Sequence, residues 1–156
     1  MPDSNSKLNE ILEYENECFS DLTDLLKDLC YAFKKRDKNS IDELFKEIND
    51  IYFEIQTTER ERIETAKIIA AKNGCTPKVT DLQKYMTPLE QNEFNSLTER
   101  LSSSIKNVKR QTAIISSIIE QHGIYAAMML SEWQRLSSEK GNNNILKLSE
   151  NIEFKG

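Results

Sequence analysis

The residues able to do chemistry are few, and their spacing does not favour it. The chain has one histidine, His122, three cysteines, Cys18, Cys30 and Cys75, and a dense charge cluster, Glu59-Arg60-Glu61-Arg62. A lone histidine cannot form a His pair, and "EQH" is not the Glu-x-x-His spacing that places two metal ligands on one helix face. The cysteines have no CxxC spacing. Each lies at or beside an apolar position, which predicts buried free thiols in a reducing compartment. There is no Gly-rich phosphate loop and no GxSxG elbow. Glu59 and Arg62 share one helix face with apolar neighbours, so their expected work is an ion pair that fixes helix register rather than acid–base catalysis. The chain is therefore expected not to be an enzyme and to need no metal or cofactor.

A different cluster stands out near the end, "GIYAAMMLSEWQRLSSEKGNNN". On a helix, Ile124, Met128, Met129, Trp133 and Leu136 fall on or beside one face with Tyr125, opposite Ser131, Glu132, Gln134 and Arg135. The upstream seams use Leu, Ile and Val. Here flexible Met and the single Trp take over, a composition suited to an adaptable partner surface; the other reading of the same face is packing on the bundle itself or on a second copy of the chain.

The elements that position this face follow from periodicity. With 156 residues, only 4 Gly and 3 Pro, and 30% charged residues, long helices in a single domain are favoured. Leu8, Leu12, Phe19, Leu22, Leu26, Leu29 and Phe33 step by fours and threes, with Glu15 in the one gap; Ile11, Cys18, Leu25 and Ala32 widen the face. A second run, Ile41, Phe45, Ile48, Tyr52, Ile55, Glu59, Arg62, Ala66 and Ile69, begins after "KKRDKNS", with Ser40 as its expected cap and Glu43 as capping-box partner. Gly74 and Pro77 end it. A short element, "VTDLQKYM", has Thr80 and Gln83 as its cap pair. "TPLE" then opens a third helix with Thr87 at the N-cap, Pro88 at the first helical position and Glu90 three residues on. Its register runs from Leu97 through Ile115, Ile119 and Ala126 to Leu136, which predicts one helix of about 75 Å over 88–138 at ~1.5 Å per residue. Gly123 is the natural place for a kink.

The expected architecture is thus all-α, an antiparallel three-helix coiled-coil bundle with a long, projecting C-terminal helix. The bundle covers 1–121 (helices about 6–36, 40–73, 79–86 and 88–121). An amphipathic partner-binding extension covers 122–139 and a mobile polar tail 140–156. The projection follows from length, because the third helix exceeds the first two by about 18 residues.

Charge narrows the partners. Residues 1–75 carry 11 Lys/Arg against 17 Asp/Glu, and 76–156 carry 10 against 9, for a net charge of −5. No basic surface for nucleic acid emerges, and Lys106, Lys109 and Arg110 read as a solvated face. No apolar run approaches the ~20 residues of a membrane span, and the polar face near Trp133 carries only Arg135 and Lys140, too few cations for a membrane-surface helix. "MPDSNSKLNE" has no apolar h-region, so a cytoplasmic location is expected.

Over about 8–140 the layout resembles the FlgN-type flagellar export chaperones. "LNEILEYENECFSDLTDLLKDL" is similar to that family's Leu- and Glu-rich opening, and "RDKNSIDELFKEINDIYFEIQTTERER" to its second helix. "VTDLQKYM" before a long helix fits its third section, and "IEFKG" its aromatic–acid–glycine ending. The resemblance implies a chaperone without ATP that binds the C-terminal helical segment of hook-associated proteins, the hook–filament junction proteins, prevents their premature self-association and hands them to the export gate. Capture is then expected on Ile124, Met128, Met129, Trp133 and Leu136, with Tyr125 as a contact to the export machinery. Two alternatives stay open: a coiled-coil adaptor or homodimeric scaffold that uses the same face for self-association, and a different export or secretion chaperone of similar helical build.

Overall fold

The computed structural model describes residues 3–139. The expected tail, 140–156, lies outside the described residues. The described chain is helical throughout, with no strand among those residues: α1 (Ser4–Lys35), α2 (Lys38–Asn73), α3 (Val79–Leu82), a 3-10 turn (Gln83–Tyr85) and α4 (Pro88–Glu139).

Caps set the boundaries. Asp3 accepts a hydrogen bond from the Ser6 amide at 2.7 Å and starts α1. Arg36 ends it in the left-handed region (φ 54°), donating its amide to the Ala32 and Phe33 carbonyls. The start of α2 corrects the expected cap. Asp37, not Ser40, is the N-cap, accepting from the Ser40 amide at 3.2 Å and from the Ser40 hydroxyl at 2.8 Å. A carboxylate is a pure acceptor facing the positive end of the helix dipole, so it takes the cap from the nearby hydroxyl. The connection shrinks to Arg36 and Asp37, which forces α2 to run back along α1. Gly74 ends α2 at φ 65° with its amide on the Ala70 and Ala71 carbonyls, the left-handed cap that glycine adopts without a Cβ penalty. Thr80 and Gln83 do not cap α3; it follows Lys78 and has no side-chain cap. Thr87 and Glu90 form the reciprocal box: the Thr87 amide donates to Glu90 at 2.9 Å and the Glu90 amide to Thr87 Oγ1 at 3.2 Å.

The seam residues of α1 from Leu8 to Phe33 are buried against Ile41, Phe45, Ile48, Tyr52 and Ile55 of α2 and Leu97, Leu101, Val108 and Ile115 of α4. Leu82, Met86 and Phe94 close the lower end. Two amide side chains set the register of α4, and of the 3-10 turn before it, beside α1. Asn5 donates to the Tyr85 carbonyl at 3.4 Å, and buried Asn16 to the Leu97 carbonyl at 3.1 Å. The numbers rise together on both helices, so the first part of α4 runs parallel to α1. Cys18 and Cys30 are buried and Cys75 half-buried, all three free; burial pushes the Cys18 and Cys30 thiols up.

Candidate functional site: the C-terminal half of the last helix

The projection expected of the last helix is not what the structure shows, although the break falls at Gly123, the place expected for a kink. Gly123 has φ 57° and ψ −126°, outside any helical region. That corner of backbone space is open to glycine because it lacks a Cβ. The lengths show what the break does. From Leu97, beside Asn16, a straight helix would place Trp133 about 54 Å further along, whereas α1 has only about 28 Å left to its end at ~1.5 Å per residue. Trp133 nonetheless lies on α2, so the chain turns back at Gly123. Burial of two large apolar side chains favours this over projection into water by roughly 1.5–3 kcal/mol each.

The contact is specific. The Trp133 indole stacks on the Phe45 ring (centroids 4.4 Å apart, planes 11° apart), and its Nε1 donates to Asn49 Oδ1 at 3.1 Å. Phe45 and Asn49 are four residues apart, one above the other on the same helix face. One indole can therefore meet a ring with its face and an amide with its edge. Trp133 is 1% exposed and Met129, one turn before it, 5%. The Phe33 ring backs Phe45 at 6.4 Å. On the outer side Arg135 pairs with Glu132 at 2.9 Å. Arg135, with a smaller contribution from Lys38 at the start of α2, holds the Glu132 carboxyl below its usual value.

Of the six residues expected to bind a partner, the structure therefore places Trp133 on α2, buries Met129 in the core cluster and leaves Met128 61% exposed. The side chains of Ile124, Tyr125 and Leu136, and that of His122, lie outside the described residues. Sequence reasoning missed Asn49 and Asn16. Both stand one position from a seam residue, Ile48 and Glu15, and that flanking amide is the only trace they leave.

The other candidate cluster serves the bundle. Arg62 Nε and Glu15 Oε2 are 2.9 Å apart, both buried. Glu15 is the carboxylate that interrupts the α1 seam, and Arg62 is its counterpart on α2. Burial outweighs the pull of Arg62 and, with the nearby Glu59 charge, raises the Glu15 carboxyl to about 7. The pair welds two helices in one register, as a charge buried without its partner would be costly. No group of three or more His, Cys, Asp or Glu able to hold a metal occurs among the described residues. No helix among them is long and apolar enough to cross a membrane.

Comparison with protein families decides the relationship: the model described as FlgN protein matches residues 1–144. The chain belongs to the FlgN family. The match takes in every described element of this FlgN chain, including the turn at Gly123 and the docked helix beyond it. Comparison with the curated proteins and with the solved structures found no match. FlgN membership supports a flagellar export chaperone role in general terms, with flagellar proteins as the partners.

Proposed function

We propose that this FlgN chain is a non-enzymatic cytoplasmic chaperone that captures the C-terminal helical segment of hook-associated proteins and delivers it to the export gate. The carrying observation is the family match, which runs through residues 124–139. A secreted subunit's terminal helix carries an apolar stripe that self-associates when free. An amphipathic helix of Ile124, Met128, Met129, Trp133 and Leu136 can cover such a stripe, and Tyr125 would face the export machinery.

Capture on this face requires exchange. Met129 and Trp133 are buried, so Trp133 must leave Phe45 and Asn49, and Met129 its place in the core, to reach a client. An undocking cost of about 3 kcal/mol would keep the open form under about 1% and weaken apparent affinity about 100-fold. A client must therefore bring enough apolar surface to offset it, which discriminates against weak binders.

The test is calorimetric titration of a hook-associated protein's C-terminal segment into the full chain and into Met128→Asp, with Trp133 emission followed alongside. Met128 is exposed, so its substitution leaves docking intact and reads client contact alone. A one-to-one complex that shifts Trp133 emission, and that Met128→Asp weakens at least about tenfold, supports direct contact. Binding that leaves Trp133 emission unchanged and is indifferent to Met128→Asp would make the docked helix a lid or a core element and overturn the assignment. The homodimeric scaffold is favoured only by exposed Met128 beside the buried anchors. A dimer in sedimentation that Met128→Lys dissociates would establish that reading instead.

A further inference from the structure

The α1–α2 pair carries a second seam that is only partly covered. Cys18, Leu25 and Ala32 on α1 recur every seven residues, as do Leu44 and Ile51 on α2; Cys18 and Ala32 are buried. Leu25, Leu44 and Ile51 pack their inner sides on the core and are only half-buried. Two open cavities lie along this line, both touching Glu47. One of about 310 Å³ includes Tyr31, Ala32 and Leu44, and one of about 440 Å³ includes Leu25 and Ile51. Both are lined by α1, α2 and their connection alone.

The rims are acidic. Asp21, Asp24 and Asp28 of α1 face Glu43, Glu47 and Asp50 of α2, with Asp37 at the end; Lys35 is the one cation in the linings. Lys35 sits over the Tyr31 ring, 5.5 Å from its centroid. This stretch accounts for much of the negative excess of the N-terminal half, and the field it makes repels phosphates and anionic lipid.

We propose that this groove docks a basic amphipathic helix of a second protein, with aliphatic residues on the Leu25–Leu44–Ile51 floor and Lys or Arg on both flanks. Charge complementarity selects the occupant: apolar floor and carboxylate rims want an apolar stripe edged with cations. The form follows from the seam. Two antiparallel helices with heptad-spaced floor residues offer holes for a third helix, whereas an extended strand would leave its backbone groups unpaired. From Asp21 to Lys35 the groove runs about 20 Å, the length of about 14 helical residues. The groove uses no α4 residue, so it is independent of client capture, and both partners can be held at once.

The probe is a synthetic 18-residue peptide with leucines at heptad a and d positions and lysines on both flanks. A permuted peptide of identical composition, with no apolar stripe, is the control. Both are titrated calorimetrically into the full chain at physiological salt. The stripe peptide should bind at least about tenfold tighter than the permuted one, and Asp21→Lys with Glu47→Lys should remove at least that factor. The exposed α4 pair Glu93→Lys with Glu99→Lys should change binding by less than about threefold, because only the screened long-range field alters. Trp133 emission should stay constant throughout. All four substituted positions are exposed, so the variants should fold, as circular dichroism will check. Equal binding of the two peptides, or equal loss in both variant pairs, would reduce the effect to counter-ion attraction and overturn the proposal. So would a dimer of the chain that the Asp21→Lys and Glu47→Lys pair dissociates, which would make a second copy the occupant.

Discussion

Glu15 shows how one residue ties sequence, packing and pH together. Its carboxyl stands at about 7 in the folded chain against 4.5 for the free group. The native state thus binds this proton more tightly than the unfolded state. Its contribution is full below about pH 4.5 and is lost as pH rises to about 7, on the order of 3 kcal/mol in all. Arg62 limits that loss by favouring the charged form. Arg62→Met should therefore raise the Glu15 carboxyl further and extend the fall beyond pH 7. Urea unfolding should show a loss of about 3–5 kcal/mol at pH 8 and a clearly smaller one at pH 5, where Glu15 is neutral in the folded state. Equal losses at the two pH values would mean that Glu15 does not titrate there. At Trp133, the contacts to Phe45 and Asn49 separate in the same way. Trp133→Phe keeps a ring to stack and loses the hydrogen bond, so docking should weaken by about 1 kcal/mol. It should weaken by about 3–5 kcal/mol in Trp133→Ala. Proteolysis of the 124–139 segment, which follows its open fraction, distinguishes the two.

At the scale of elements, caps and breaks decide where each helix stops. The Thr87–Glu90 box opens α4, and Thr87→Ala should cost about 1 kcal/mol of global stability by thermal melting. Gly123 does more. It has no atom within 4 Å of where a Cβ would stand, so Gly123→Ala acts through the backbone alone. At φ 57°, ψ −126° alanine is strained by about 1–3 kcal/mol, while in a continuous helix it is better than glycine by about 1 kcal/mol. Both shifts favour the straight, extended form. Trp133 emission should then move to the red, helix content should stay constant, and a client helix should bind more tightly than to the natural chain. An unchanged emission would show that the turn is held by packing strong enough to absorb the strain.

At the scale of the whole molecule, α1 is the spine. It buries residues from Leu8 to Phe33 against both α2 and α4, whereas Met129 and Trp133 are the buried anchors described beyond Gly123. Local opening therefore has a clear order. Amides of 124–139 should exchange with solvent hydrogen several orders of magnitude faster than those of Phe19–Leu29, since opening exposes two anchors rather than a core. Equal protection would make the docked helix one cooperative unit with the bundle and leave it no freedom to capture a client. The molecule also divides its surfaces, with the adaptable face on α4 and the acidic groove on α1 and α2.

Much of this was legible in the residue order. The steps of three and four from Leu8 to Phe33 and from Ile41 to Ile69 place the core, because burial of one helix face imposes that period on any sequence. Gly74 and the Thr87-Pro88-Glu90 start were readable because caps are local chemistry. The cross-helix role of Arg62 was readable from a charge in an apolar seam, but its partner needed the register that sets Glu15 opposite it. Ser40 was the wrong cap because two acceptors within three residues compete, and only the length of the connection chooses between them. The hardest matter was direction at Gly123. The heptad from Ile115 to Leu136 runs through the glycine without a fault, so periodicity alone predicts a straight helix. Whether such a helix continues or turns back depends on what its face can bury on return. Phe45 and Asn49, more than eighty residues away in sequence, provide that surface, and only the tertiary structure brings them to Trp133.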